Sequence, residues 1–176
     1  MPGIWRLLWV AALLGWAPFE GRAADEVVSS IGARRFPLEV SGRQLFLPFE
    51  ANGPIDEAAR FSRLVIYIHG GHRQVKLDRA LLGALGLTER PDTLMIIPQF
   101  LKDRDRTPHK LPDEVLSWAA HWEWGDLSSP SGMGRISSFE VVDRLIAKLV
   151  TRHSRMREVV VVGNSAGGQF TQRYAA

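Results

Sequence analysis

Three short apolar runs constrain this chain more than anything else in it: residues 64–68 (LVIYI), 93–100 (TLMIIPQF) and 158–162 (EVVVV). Each is too short for a helix, continuous rather than alternating, and rich in β-branched residues. Such runs suit strands buried on both faces, as in a parallel sheet covered by helices. Between them lie helical stripes. Leu77, Ala80, Leu81, Ala84 and Leu85 recur at helical spacing and stop near Gly86. Phe139, Val142, Leu145, Ile146, Leu149 and Val150 form a second stripe. It opens on Ser137-Ser138-Phe139-Glu140, which has capping-box spacing, Ser137 serving the first amides and Glu140 reaching back. Strand, helix, strand, helix, strand predicts an α/β protein with parallel strands. Upstream, residues 33–40 and 43–50 are joined by Ser41-Gly42 and fit an antiparallel pair, with Pro37 and Pro48 at edges or ends.

Composition narrows the partners. The 176 residues suffice for one domain, and 45% hydrophobic with 23% charged residues is the balance of a folded chain. A pI of 9.7 raises nucleic acid as a partner. The net charge is only +3, however, and acidic residues interleave with basic ones, as in Lys102-Asp103-Arg104-Asp105-Arg106. That stretch reads as a solvated loop, and no nucleic-acid partner is expected. With no cysteine there is no disulfide, thiolate metal site or cysteine nucleophile. No HExxH or helical pair of histidines occurs, so neither a metal nor another cofactor is expected.

The amino terminus differs in kind. After Arg6 come thirteen largely apolar residues, LLWVAALLGWAPF, and then Glu20-Gly21-Arg22-Ala23-Ala24, with small residues at the end. This reads as a signal peptide over residues 1–23, cleaved after Ala23 or Ala24, and is shorter than the roughly 20 residues of a membrane span. The protein is expected to be exported, periplasmic or extracellular, with no membrane contact once the leader is cleaved; uncleaved, the leader would anchor it.

Chemistry concentrates where EVVVV meets Gly163-Asn164-Ser165-Ala166-Gly167. A sharp strand-to-helix turn thrusts a serine hydroxyl above the sheet edge and needs small residues on both sides. Residues 169–176, with Phe170 and Tyr174 one turn apart, supply the helix. Gly163 and Gly168 also fit a phosphate-loop spacing, but the next two positions are Gln169 and Phe170 rather than Lys and Ser or Thr. The nucleotide reading lacks its cation and hydroxyl. His69-Gly70-Gly71 ends the run 64–68, at a matching strand end.

With these two motifs in this order, the sequence resembles the α/β-hydrolase superfamily of esterase and lipase type, over about residues 43–176. The resemblance implies an α/β-hydrolase-like, mostly parallel sheet with flanking helices. It implies Ser165 as nucleophile, with Gly70, Gly71 and Ala166 as the oxyanion region and Gly163, Asn164 and Gly167 as the elbow. The substrate would be a small-molecule ester or amide, cleaved through an acyl-enzyme on Ser165. His69 belongs to the oxyanion motif, where histidines of the superfamily are structural.

Other candidates are weaker. His72, His109 and His121 fall in loops or near the tryptophans, and His153 ends a helix as a dipole partner. Trp118, Trp122 and Trp124 either fill the core or line a pocket. Residues 128–135 (SSPSGMGR) read as a flexible loop. Only eleven residues follow Ser165, whereas the superfamily's triad acid and histidine come later. Residues 24–176 are therefore expected to be a partial α/β-hydrolase domain truncated after the elbow helix, inactive as written, with a bare edge on strand 158–162. A non-catalytic protein that binds a partner through that edge is the alternative.

Overall fold

The computed structural model describes residues 6–11, 26–56, 61–129 and 134–176. The leader apart from Arg6–Ala11, and the centre of the loop at 128–135, lie outside the described residues. Six strands form one sheet: β1 (Arg6–Ala11), β2 (Arg34–Val40), β3 (Arg43–Ala51), β4 (Arg63–Ile68), β5 (Thr93–Pro98) and β6 (Glu158–Gly163). Their order is β1-β6-β4-β5-β3-β2. Among the helices are α1 (Val75–Ala84), α2 (Ser138–Arg152) and α3 (Ala166–Tyr174).

The sheet is mixed, which corrects the expectation of a mostly parallel, α/β-hydrolase-like one. β4 pairs parallel with β5 and with β6, but β3 runs antiparallel to both β5 and β2. The cause is local. Ser41 and Gly42 have φ of 51° and 74°, the paired left-handed conformation of a two-residue hairpin turn, and such a turn can join only antiparallel strands. The hairpin then docks through β3, where Phe49, Glu50 and Ala51 face Pro98, Ile97 and Ile96. Pro37 lies on the outermost strand, β2, as its missing N–H requires.

The three apolar runs do become neighbouring strands, in the order β6-β4-β5. Only β5 is buried on both faces. In β4, Leu64, Ile66 and Ile68 are fully buried, while Val65 and Tyr67 are half-buried. In β6, Val159 and Val161 are buried and Val160 and Val162 are not fully covered. The expected bare edge of β6 is occupied: β1 pairs with it in parallel, from Arg6 opposite Glu158 to Ala11 opposite Gly163.

The covered face carries the core. α2 buries Val141, Val142, Leu145 and Leu149 on it. Phe100 stacks on Trp122 with ring centroids 5.1 Å apart and meets Trp118 edge-on at 5.2 Å. Trp118 and Trp122 therefore pack, whereas Trp124 is 51% exposed. Two helix details depart from expectation. Ser137 Oγ accepts from Phe139 N–H at 3.1 Å, but Glu140 pairs with Arg144 at 2.6 Å one turn on instead of reaching back. α1 has its predicted bounds and the opposite orientation: Leu77, Leu81 and Leu85 are exposed, and Val75 and Asp78 are its buried residues.

Candidate active site

The elbow is built by two close approaches that exclude any side chain. A Cβ on Gly163 would lie 2.1 Å from the Gly167 carbonyl oxygen, and one on Gly167 would lie 2.1 Å from that of Ile68. Contacts this short are impossible, so both positions require glycine. Asn164 N–H donates to the Ile68 carbonyl at 3.2 Å, and Gly167 N–H closes the turn on the Asn164 carbonyl at 2.9 Å. The chain thus leaves β6 already tied to the end of β4 and enters α3 within three residues.

Between these glycines Ser165 has φ 54° and ψ −118°. A non-glycine residue held there stores backbone strain on the order of 1–3 kcal/mol. Ser165 occupies the N-cap position of α3, where serine normally accepts from the first amides, yet its side chain makes no capping bond. It is exposed. Strain, exposure and a hydroxyl not spent on the cap coincide at one residue.

The loop after β4 meets this turn. A Cβ on Gly70 would stand 3.5 Å from the Asn164 carbonyl oxygen. His69 is fully buried; its Nδ1 donates to the Gly70 carbonyl at 2.8 Å and its Nε2 accepts from Phe100 N–H at 2.9 Å. Burial pushes this imidazole down to about 3, so His69 is a neutral tie between the ends of β4 and β5. Arg73 N–H also donates to the Gly70 carbonyl, at 3.1 Å. Two donors fix that carbonyl, and because a trans peptide is planar they fix the opposed Gly71 N–H as well. Among the described residues the amides of Gly70, Gly71 and Ala166 have no protein acceptor.

A buried ion pair holds the loop from beneath. Arg73 and Asp105 are both fully buried, with Nε 3.3 Å from Oδ2. Arg73 Nη1 donates to the Gly71 carbonyl at 2.7 Å, and Gln99 Nε2 donates to the Arg73 carbonyl at 2.8 Å. Asp105 also accepts from the amides of Lys102 and Val28, at 2.8 and 3.1 Å. The charge run 102–106 is thus not simply a solvated loop: its fourth residue is a buried support for the site. The sequence offers no signal for this, since the partners stand 32 positions apart.

A base for Ser165 is not among the described histidines, of which the sequence has five. His69 is committed as above. His72 Nδ1 accepts from Gln74 N–H at 2.9 Å, and His109 Nε2 meets the Val28 carbonyl at 2.7 Å. His121 pairs with Glu123 at 3.0 Å, and His153 Nε2 meets the Ile55 carbonyl at 3.2 Å. The site therefore joins a strained serine to electrophilic amides. No group of three or more metal-ligating side chains occurs among the described residues. A cleft of about 210 Å³ is lined by Asp103, Arg106, Asp113, Ser117 and Ser129 among others, and by none of the elbow residues.

Comparison with known proteins bears on the fold. No family model and no curated protein matches the chain. A solved structure described as poly(aspartic acid) hydrolase-1 from Sphingomonas sp. KT-1 superposes with a TM-score of 0.51 at 20% sequence identity. The match covers 81% of this chain and 50% of that one, so the chain spans about half the length of this neighbour. At such identity the likeness is one of fold.

Proposed function

We propose that the chain carries the nucleophile and oxyanion donors of an exported serine hydrolase that cleaves a small-molecule ester or amide. The observation that carries this reading is Ser165 itself: exposed, at φ 54° and not capping its helix, between two glycines whose replacement sterics forbid. Stored strain at an exposed hydroxyl is what a pre-organised nucleophile needs, and a merely structural serine has no use for it. Ser165 Oγ attacks the substrate carbonyl carbon, and its proton passes to a base that the described histidines do not supply and that then gives the proton to the leaving alcohol or amine. The carbonyl oxygen becomes an oxyanion that accepts from the amides of Ala166 and of Gly70 or Gly71. Collapse expels the alcohol or amine and leaves an acyl group on Ser165, which water then removes. Each well-aimed amide is worth about 3–4 kcal/mol of transition-state stabilisation. The fold neighbour is named a hydrolase, which agrees with the reaction class. The kinship with the α/β-hydrolase superfamily rests here on the elbow and the His69-Gly70-Gly71 loop, not on the sheet.

The test is an activity-based one. A fluorophosphonate probe applied to lysate and medium of the producing cells is expected to leave an adduct that mass spectrometry maps to Ser165. Substitution of Ser165 by alanine should abolish it. Absence of any adduct on Ser165 in the native protein ends the catalytic reading and leaves the partner-binding one.

A further inference from the structure

One pair of groups beside the oxyanion loop has no part in the reaction outlined above. Asp78, on α1, is only 4% exposed, and its Oδ2 has no hydrogen-bond partner among the described residues. A buried carboxylate oxygen left unpaired destabilises the fold. Its Oδ1 lies 3.5 Å from His72 Nε2. The other ring nitrogen, Nδ1, accepts from Gln74 N–H at 2.9 Å. A nitrogen that accepts carries no proton, so His72 is the neutral tautomer with its proton on Nε2, facing Asp78. The same ring borders the space that a side chain at Gly70 would fill: a Cβ there would be 3.4 Å from both Cδ2 and Nε2 of His72 and 3.5 Å from the Asn164 carbonyl oxygen. Ring and elbow backbone therefore border one space beside Gly70.

We propose that His72, oriented by Asp78, is a positioning residue that fills the gap between the Gly70 loop and the elbow and so keeps the Gly70 and Gly71 amides aimed at the oxyanion beside Ser165. This rests on the nucleophile reading of Ser165. His69 and the Arg73 amide fix the Gly70 carbonyl; they do not fix the spacing of loop and elbow. The His72 ring is the side chain that borders the gap between them. Asp78 keeps the ring proton on Nε2, which leaves Nδ1 as the acceptor for Gln74 and stops the ring from turning. The Asp78 charge acts on Tyr67 of β4, and the Arg73 charge acts on His72 from the loop. A carboxylate retained in so unfavourable a place is explained by this task.

The experiment uses His72→Leu, His72→Gln and Asp78→Leu in the full chain, with two readouts. The first is hydrogen exchange of the Gly70 and Gly71 amides by NMR, which does not depend on Ser165 chemistry. The second is the rate of Ser165 labelling by a fluorophosphonate. Glutamine places an amide N–H near where Nε2–H stands, beside Gly70 and toward Asp78, so His72→Gln should stay within about threefold of wild type in both readouts. His72→Leu, and Asp78→Leu, which removes the acceptor for that N–H, should speed amide exchange, and slow labelling, by about tenfold or more. Should His72→Leu fail to fold, Asp78→Leu decides with His72→Gln as its control. Unchanged exchange at Gly70 and Gly71 in Asp78→Leu, or equal damage from leucine and glutamine at position 72, overturns the proposal. Ser165 labelling in wild type is read on the native protein of the producing cells; no labelling there, together with the expected exchange pattern, refutes the nucleophile reading and with it the task assigned to the pair, while leaving His72 as the residue that holds the loop in place.

Discussion

Asp78→Asn is expected to stabilise the protein increasingly as pH rises above 3.8. Burial lifts the Asp78 carboxyl from 3.8 to about 7. The folded state therefore holds a proton over a range in which the unfolded chain has lost it. With the folded value raised, the group's contribution is fully present below pH 3.8 and disappears as pH rises through about 7. Between pH 5 and pH 8.5 the two-state linkage amounts to roughly two pH units, or about 3 kcal/mol lost by the wild type. Asparagine has nearly the same shape and no charge, so the variant should not show that loss. Urea unfolding of both proteins at pH 5, 6, 7 and 8.5 reads the difference, provided the slopes agree. At pH 5 the variant should already be more stable by about 1.5 kcal/mol, and at pH 8.5 by about 4 kcal/mol. Parallel profiles across this range would mean that Asp78 is not the buried, poorly solvated carboxylate described here.

Three further outcomes follow from the same contacts. Ser165→Gly should raise stability by about 1 kcal/mol, because glycine accepts φ 54° without strain, whereas Ser165→Ala should not; thermal melts of the two separate strain from loss of the hydroxyl. Asp105→Asn leaves Arg73 charged and fully buried, and should cost about 3–5 kcal/mol in urea unfolding, far more than a surface charge removal. Intact-mass analysis of the exported protein should find a chain beginning at Ala24 or Asp25. Such a chain lacks β1 and bares the β6 edge, so it should self-associate more than the full chain in size-exclusion chromatography. A mature protein that retains Met1 would defeat the leader reading.

What could be read from the residues alone divides along a physical line. The elbow is legible because its requirements are local. Gly163, Ser165 and Gly167 lie within five positions, and the turn they share dictates both glycines. The helix α1 is legible for the same reason, but its orientation is not. A stripe of leucines says that a helix has an apolar side; which side faces the sheet depends on what the sheet and the loop offer. Here the loop offers His72, and α1 turns Asp78 toward it, leaving Leu77 and Leu81 outside. The Arg73–Asp105 support is illegible because nothing in a run of alternating charges marks the one residue that will be buried. The sheet's mixed character lay in a turn of two residues. Ser41-Gly42 was enough to predict an antiparallel pair, but not that β3 would carry it onto the edge of β5. Local geometry thus marks the strained serine proposed as nucleophile, and long-range contacts, silent in the sequence, decide how the amides around it are held. The test of the site therefore lies less in Ser165, which any reading would choose, than in His72, Asp78, Arg73 and Asp105, which only the fold brings to it.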